Sequence, residues 1–219
     1  MCRKKLIETI AIKEKLTLVY GSNLKNNETK YEVIYLMENG HNPRNINDIK
    51  YAMFIFWKRI GKKAVVIGQN PSKAYNNYAL DGTNQNIVKI LKKKGYSGYL
   101  MLNTFPKIDP NGKSISNITK NKKNIKLSKK ILKFFCTKIL ACSENNNIDF
   151  EYYNEILSKN KFKVVKVNQR IISHFAPIVI NTKGGINNIS KGPLVEIKID
   201  ATDKKPNNNT CKISMNLKK

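Results

Sequence analysis

Amide, imidazole and carboxylate side chains follow short apolar runs at several points of this chain. Gln69 and Asn70 follow one such run, Asn103 ends another, and His174 follows a later apolar segment. A side-chain amide offers one acceptor and two donors, so these residues can hold a polar planar ligand or a water molecule. An amide cannot take up a proton, and the nearest carboxylate for general-base work is Asp81, which could equally be a helix cap.

The elements that must position these residues alternate between strands and helices. Short apolar runs predict buried strands at residues 64–67, 99–102, 138–142 and 162–167. Amphipathic segments between them predict helices at residues 80–94, 125–135 and 149–159. This alternation indicates an α/β fold, a three-layer sandwich with a central, mainly parallel four-stranded sheet. Ligands of such sheets bind beyond the carboxyl ends of the strands, where the polar residues stand.

The N-terminal part of the chain, residues 1–61, has a different pattern and predicts an elaboration of two strands followed by a helix. The helix is predicted over residues 47–60, with Phe54, Trp57 and Ile60 on its apolar face. The two strands are predicted at residues 16–20 and 31–36.

The main domain is predicted over residues 62–200, with a last strand at 194–199. Residues 201–219 are polar and basic, and they predict a flexible, frayed tail. The chain has no internal repeat.

The charge of the chain indicates a polyanionic partner. It carries 41 Lys and Arg against 15 Asp and Glu, a formal net charge of +26. Each cation placed near a phosphate releases a counterion and adds salt-sensitive affinity, so nucleic acid is the expected partner. The alternative is compositional drift in a chain crowded with Lys, Asn and Ile. Since Arg is rare, the charge favours contacts with the phosphate backbone of a nucleic acid over contacts that read its bases.

The four cysteines and two histidines predict neither a metal site nor a cofactor. The chain has no Cys-x-x-Cys spacing, so reduced, structural thiols in a cytoplasmic protein are expected. No apolar run approaches the about 20 residues of a membrane span. A monomer without membrane contact is predicted.

The strand ends, taken in order, resemble those of the uracil-DNA glycosylase superfamily. The chain reads Gly-Gln-Asn-Pro-Ser at 68–72, Leu-Asn-Thr-Phe-Pro at 102–106 and Ser-His-Phe-Ala-Pro-Ile at 173–178. The superfamily carries G-Q-D-P-Y or G-x-N-P, then L-L-L-N, then H-P-S-P-L. The resemblance covers residues 62–180. Residues 64–106 are also similar to a family of uncharacterised bacterial proteins with N-P-S, D-x-T and N-x-F motifs.

The resemblance implies a catalytic role for two residues and a base-reading role for a third. Asn70 would position the attacking water, and Asp81 could assist it. His174 would donate a hydrogen bond to the departing base, and Asn103 would pair with the edge of the base. Phe175 stands where the superfamily has the first proline of H-P-S-P-L, which alters the geometry of that loop.

Ser72 indicates the kind of base that the pocket would admit. In uracil-specific relatives a tyrosine there blocks substituents on carbon 5 of the base, whereas serine leaves that space open. The resemblance therefore implies a roomier pocket for a modified, 5-substituted base, unless a neighbour such as Tyr75 fills it. Further base contacts are expected from aromatic and amide side chains. These are Gln69, Phe105, Tyr75 and Tyr78.

DNA contacts are expected around this pocket. Ile178 stands where the superfamily has a wedge that fills the gap left by a flipped nucleotide. Lysines near the first two strand ends would hold phosphates, or would simply form a solvated loop. These are Lys73, Lys107, Lys113, Lys122 and Lys123.

The function implied is a monofunctional DNA glycosylase that flips a base and excises it by hydrolysis, leaving an abasic site. Its substrate would be a uracil-like or, by the open pocket, a modified base in single- or double-stranded DNA. Base removal would serve repair or defence against phages with modified genomes. Two alternatives stay open: a catalytically inactive nucleic-acid-binding module on the same fold, and an N-glycosidase acting on free nucleosides or nucleotides. The wide basic surface argues against the second.

Overall fold

The computed structural model describes most of the chain. The described residues are 3–21, 24–26, 29–38, 48–71, 80–108, 121–168, 170–176, 180–181, 183–205 and 209–218. The helices are α1 (Arg3–Lys13), α2 (Gly82–Lys93), α3 (Asn121–Leu132), α4 (Phe150–Tyr152), which continues into a π-helical turn (Tyr153–Leu157), and α5 (Gly185–Lys191).

Twelve strands lie in the described part of the chain. They are β1 (Thr17–Tyr20), β2 (Leu24–Asn26), β3 (Thr29–Met37), β4 (Lys50–Phe56), β5 (Lys63–Gly68), β6 (Gly98–Asn103), β7 (Thr137–Leu140), β8 (Ile148–Asp149), β9 (Phe162–Val167), β10 (Arg170–Ile172), β11 (Leu194–Lys205) and β12 (Thr210–Leu217).

The strands form one mixed sheet in the order β1-β3-β4-β6-β5-β7-β9-β11-β12-β8. In addition β2 pairs with β3, and β10 pairs with β9. The pairs β5–β6, β5–β7 and β7–β9 are parallel. The other strand pairs of the described residues are antiparallel.

The predicted fold class, a sandwich built on a central four-stranded, mainly parallel sheet, is therefore wrong. The alternation of strands and helices identifies parallel neighbours within residues 62–167, but it says nothing about strands that join by antiparallel pairing. Here β4 pairs with β6 on one side, and β11 pairs with β9 on the other. The sheet consequently extends in both directions beyond its parallel strands.

The helix predicted over residues 47–60 is also wrong, because its centre is β4. The spacing of Phe54 and Trp57 imitates a helix face, but residues 50–55 are all buried. This strand lies between β3 and β6, and both of its faces are covered. Its residues therefore form a continuous apolar run instead of alternating between apolar and polar. That continuous burial decides in favour of a strand.

The frayed tail predicted over residues 201–219 is wrong as well. Strand β11 continues to Lys205, and β12 pairs with it antiparallel from Thr210 onward. Cys211, Ile213 and Met215 are buried at every second position of β12, which is the period of a strand with one covered face. Because polar residues lie between the buried ones, the overall composition of this segment does not reveal the alternation.

Helices cover both faces of the sheet. One core contains apolar side chains of α1, α3 and α4, including Ile7, Leu127 and Tyr152. The other contains side chains of α2 and α5, including Ile87 and Ile189. The edge formed by the carboxyl ends of β5, β6 and β7 lies between these layers, and the polar residues of the sequence patterns follow these strands.

Candidate functional site at the carboxyl ends of the parallel strands

The ends of β5 and β6 lie directly side by side. Gly68 and Asn103 are partners in the parallel register. The pairing continues beyond the strands, where the N–H of Thr104 donates to the Gly68 carbonyl at 2.9 Å and the N–H of Phe105 donates to the Gln69 carbonyl at 2.8 Å. The first two polar segments of the sequence therefore run side by side and are joined by backbone hydrogen bonds.

Asn103 is held over Gly68 at close range. A Cβ atom at Gly68 would lie 2.7 Å from Oδ1 of Asn103, which is shorter than any ordinary contact. Asn103 is only 3% exposed. Glycine is required here because the buried Asn103 amide occupies the space that a side chain would need.

Asn124 supports this strand end from α3. Its side-chain amide is fully buried and donates to the carbonyls of Asn103, at 2.9 Å, and Thr104, at 3.3 Å. The sequence analysis did not identify this residue. It stands directly before the helix predicted over residues 125–135, so the sequence pattern assigns it to a loop.

Gln69 ties the first strand end to the loop after β7. Its Nε2 donates to the Asn147 carbonyl at 2.7 Å, and its Oε1 accepts from Nδ2 of Asn146 at 2.8 Å. Next to it the N–H of Ala141 donates to the Ile67 carbonyl at 2.7 Å. Gln69 is predicted to contact a base, but both the oxygen and the nitrogen of its amide form hydrogen bonds that position a neighbouring loop.

Asn70 lies half-buried at the end of this segment, before the buried Pro71. Phe105 is 2% exposed, so its ring lies inside the protein. Three residues predicted in the same pocket lie outside the described residues. They are Ser72, Tyr75 and Tyr78.

Asp81 is the N-cap of α2. Its Oδ1 accepts from the N–H of Asn84 at 2.8 Å, and its Oδ2 accepts from Nδ2 of Asn84 at 2.9 Å. Both carboxylate oxygens therefore serve the helix terminus, which is the capping role that the sequence left open beside the catalytic one.

We expect Asp81→Ala to lower the free energy of unfolding by about 1–2 kcal/mol, because the first turn of α2 loses its cap. Asp81→Asn keeps an oxygen that can accept from the Asn84 N–H, so it should lose less. Urea denaturation of the two variants measures the difference. Equal losses in both would contradict the capping role.

Lys50 is a buried cation at this edge that sequence reasoning missed. It is 3% exposed, its N–H donates to the Pro106 carbonyl at 2.8 Å, and its Nζ lies 5.1 Å from the centre of the Tyr35 ring. Burial lowers the pKa of Lys50 to about 8, and the negative charge of Asp81 opposes that shift. Because β4 runs antiparallel to β6, its first residue lies at the edge where β6 ends.

Two further buried groups extend this polar cluster toward α2. The Tyr99 hydroxyl donates to Oδ1 of Asn84 at 2.6 Å, so Asn84 links that phenol to Asp81. Burial raises the pKa of Tyr99 well above its usual range, which keeps the phenol protonated. A cation, a carboxylate, an amide and a phenol thus meet between β4, β6 and α2.

His174 follows β10 at the same edge of the sheet. Strands β7 and β10 pair with the same edge of β9, since β11 occupies the other one. The chain therefore leaves β10 toward the carboxyl end of β7. His174 is half-buried, and burial lowers its pKa, which favours a neutral imidazole. The adjacent Phe175 is anchored by its carbonyl, which accepts from Nδ2 of Asn86 at 3.0 Å.

The predicted DNA-contacting residues are placed unequally. Lys107 is half-buried beside Ile49, and Lys122 is exposed on α3. Lys123 forms an ion pair with Glu38 at 3.0 Å, so its charge is partly neutralised within the protein. The other three, Lys73, Lys113 and Ile178, lie outside the described residues.

The described residues contain no group of three or more His, Cys, Asp or Glu side chains arranged to hold a metal ion. Among the same residues, no helix has both the length and the apolar character to cross a membrane. The thiols of Cys136, Cys142 and Cys211 are free.

Comparison with known proteins gives one match. A family model described as "Protein of unknown function (DUF1643)" matches residues 50–174, from Lys50 at the start of β4 to His174 after β10. The chain matches no curated protein and no solved structure. Since the match spans more than half of the 219 residues, the chain belongs to the DUF1643 family.

Proposed function

We propose that this protein is a DNA N-glycosylase that excises a uracil-like or, more specifically, a 5-substituted base and leaves an abasic site. The observation that carries the proposal is the buried amide of Asn103, packed against Gly68 at the edge where parallel strands end. An amide held in this way can read the hydrogen-bonding edge of a base. A wrong base would leave it unpaired, at a cost of about 1–3 kcal/mol.

The chemistry would depend on charge stabilisation more than on general-base catalysis. Cleavage of an N-glycosidic bond leaves an oxocarbenium-like sugar and an anionic base. Asn70 can orient water but takes no proton, and both oxygens of Asp81 are engaged by Asn84. Water would therefore attack C1′ of a sugar whose bond to the base is already largely broken, and the proton that the water loses would neutralise the departing base anion.

The departing base would be stabilised by a hydrogen-bond donor and a positive charge. A neutral His174 can donate one ring N–H to a base carbonyl. The buried ammonium of Lys50 would add a favourable field at the same edge, since charges interact more strongly away from water. The excess of cations on the chain supports a nucleic-acid substrate.

The experiment is a panel of labelled oligonucleotides, single- and double-stranded, that each contain one candidate base. The bases are uracil, 5-hydroxymethylcytosine, its glucosylated form and deazaguanine. We expect alkali-sensitive strand cleavage with one of them, and at least a hundredfold slower release with Asn103→Ala or His174→Ala. No abasic product from any member at high protein concentration would contradict the proposal.

The inactive nucleic-acid-binding module is the second candidate, and the engagement of both Asp81 oxygens favours it. It predicts salt-dependent DNA binding that Asn70→Ala and His174→Ala leave unchanged, with no base release. Free nucleosides in the same assay test the remaining alternative, which requires release without a polynucleotide.

A further inference from the structure

A row of lysines runs along the exposed side of α3. The spacing of four, three and four residues places its members on one face of the helix. Lys126 and Lys129 keep 61% and 47% of their side-chain surface exposed. The row, called the α3 lysine stripe below, consists of Lys122, Lys126 and Lys129 on α3 and Lys133, the residue that follows the helix.

The stripe borders a groove between α3 and the π-helical turn that carries more positive than negative charge. Five lysines line the groove, the four of the stripe and Lys130, against Glu151 and Glu155. Lys129 and Lys159 both pair with Glu155. From α1, Glu14 pairs with Lys126 and Lys130. The two ends of the stripe, Lys122 and Lys133, are exposed.

The stripe starts beside the candidate site. Helix α3 begins at Asn121, and Asn124 in its first turn binds the carbonyls of Asn103 and Thr104. From Lys122 to Lys133, the first residue after the helix, the rise is about 16 Å, at ~1.5 Å per residue. That length corresponds to about five nucleotides of one strand, at ~3.4 Å each.

We propose that the α3 lysine stripe binds the phosphate backbone of the DNA whose base enters the strand-end site. The inference rests on the proposed function for the identity of the polyanion. A small anion is held by converging cations, whereas a linear row of cations fits a linear polyanion. The bound DNA backbone therefore runs along α3, away from Asn103.

The test compares two double variants that remove the same charge. Lys122→Gln with Lys133→Gln takes both ends of the stripe. Lys58→Gln with Lys62→Gln takes two exposed lysines at the turn before β5, at the opposite edge of the sheet. Fluorescence anisotropy with a 20-base-pair duplex of unmodified sequence measures affinity over a salt series. Thermal melting confirms that both variants are folded.

We expect the stripe variant to bind at least tenfold more weakly at low salt, with a slope of log affinity against log salt that is shallower by about 1.8. The turn variant should stay within twofold of the unmodified protein. Glu155→Gln, which removes a carboxylate paired with Lys129, should tighten binding about two- to fivefold. Equal losses in the two double variants, or no tightening by Glu155→Gln, would overturn the proposal.

Two further outcomes are informative. Failure to bind DNA at low salt, with stripe-dependent binding of polyglutamate instead, would assign the stripe to an acidic protein and overturn the proposal. DNA binding through the stripe without base release from the oligonucleotide panel would support it while contradicting the glycosylase. Failure of the interface and failure of the chemistry are thus separate results.

Discussion

Replacing Gly68 with alanine is expected to abolish base excision and to lower the free energy of unfolding by about 1–3 kcal/mol. The new Cβ atom would lie 2.7 Å from Oδ1 of Asn103 and 3.3 Å from Cε of Met101. The methionine end is flexible and can move aside. Asn103 is fixed by its place in the β5–β6 pairing, so its amide must rotate away from the position that would read a base.

A double-mutant cycle separates this clash from a general effect on β5. Asn103→Ala removes the atom that the new Cβ would meet, so Gly68→Ala should cost less stability in that background. Base excision should stay lost in both single variants and in the pair. Urea denaturation gives the stability, and the oligonucleotide panel gives the activity. Strictly additive stability losses would show that Oδ1 of Asn103 does not fill the space above Gly68.

Replacing Lys50 with methionine is expected to change how stability depends on pH. The pKa of Lys50 falls from 10.5 in an unfolded chain to about 8 in the folded protein, because burial disfavours its charge. Between these values the unfolded chain binds more protons, so stability rises with pH. Below pH 8 the buried charge costs about 3 kcal/mol, and this cost disappears as the pH approaches 10.5.

Lys50→Met keeps the length of the side chain and removes the charge. Its free energy of unfolding, relative to the unmodified protein, should be highest below pH 8 and should decline by about 3 kcal/mol as the pH rises to 10.5. Chemical denaturation at a series of pH values measures this difference. Lys122→Met, at an exposed position, is the matched control and should give a constant difference. A flat difference for Lys50→Met would mean that the ammonium is hydrated in the folded protein.

The parts of the fold that the sequence predicts are those with a local signature. Strands β5 and β6 contain uninterrupted apolar runs, β9 is rich in valine, and α2 has an amphipathic pattern with Asp81 as its cap. Each of these signals is contained within about a dozen residues. Their alternation predicts parallel neighbours, and the register of β5 with β6 follows that expectation.

The parts that the sequence does not predict depend on distant partners. Strand β4 looks like a helix until β3 and β6 cover it on both sides, and β12 looks like a tail until it pairs with β11. The same holds in the site. Nothing in the residues next to Lys50 in sequence indicates that it is buried. The role of Asn124 depends on the carbonyls of a distant segment, to which its side chain donates.

The pairing of β3 with β4 has a consequence for how the family is delimited. The match to the family model starts at Lys50, yet β3 lies outside it, and residues 32–37 of β3 pair with the strand that opens the match. Removed at that border, β4 would present a bare row of amides and carbonyls along an aromatic-rich strand, the kind of surface that invites intermolecular pairing. The segment that matches the family model is therefore smaller than the unit that can fold alone in water. A relative that consists only of this segment must cover the exposed edge of β4 in some other way.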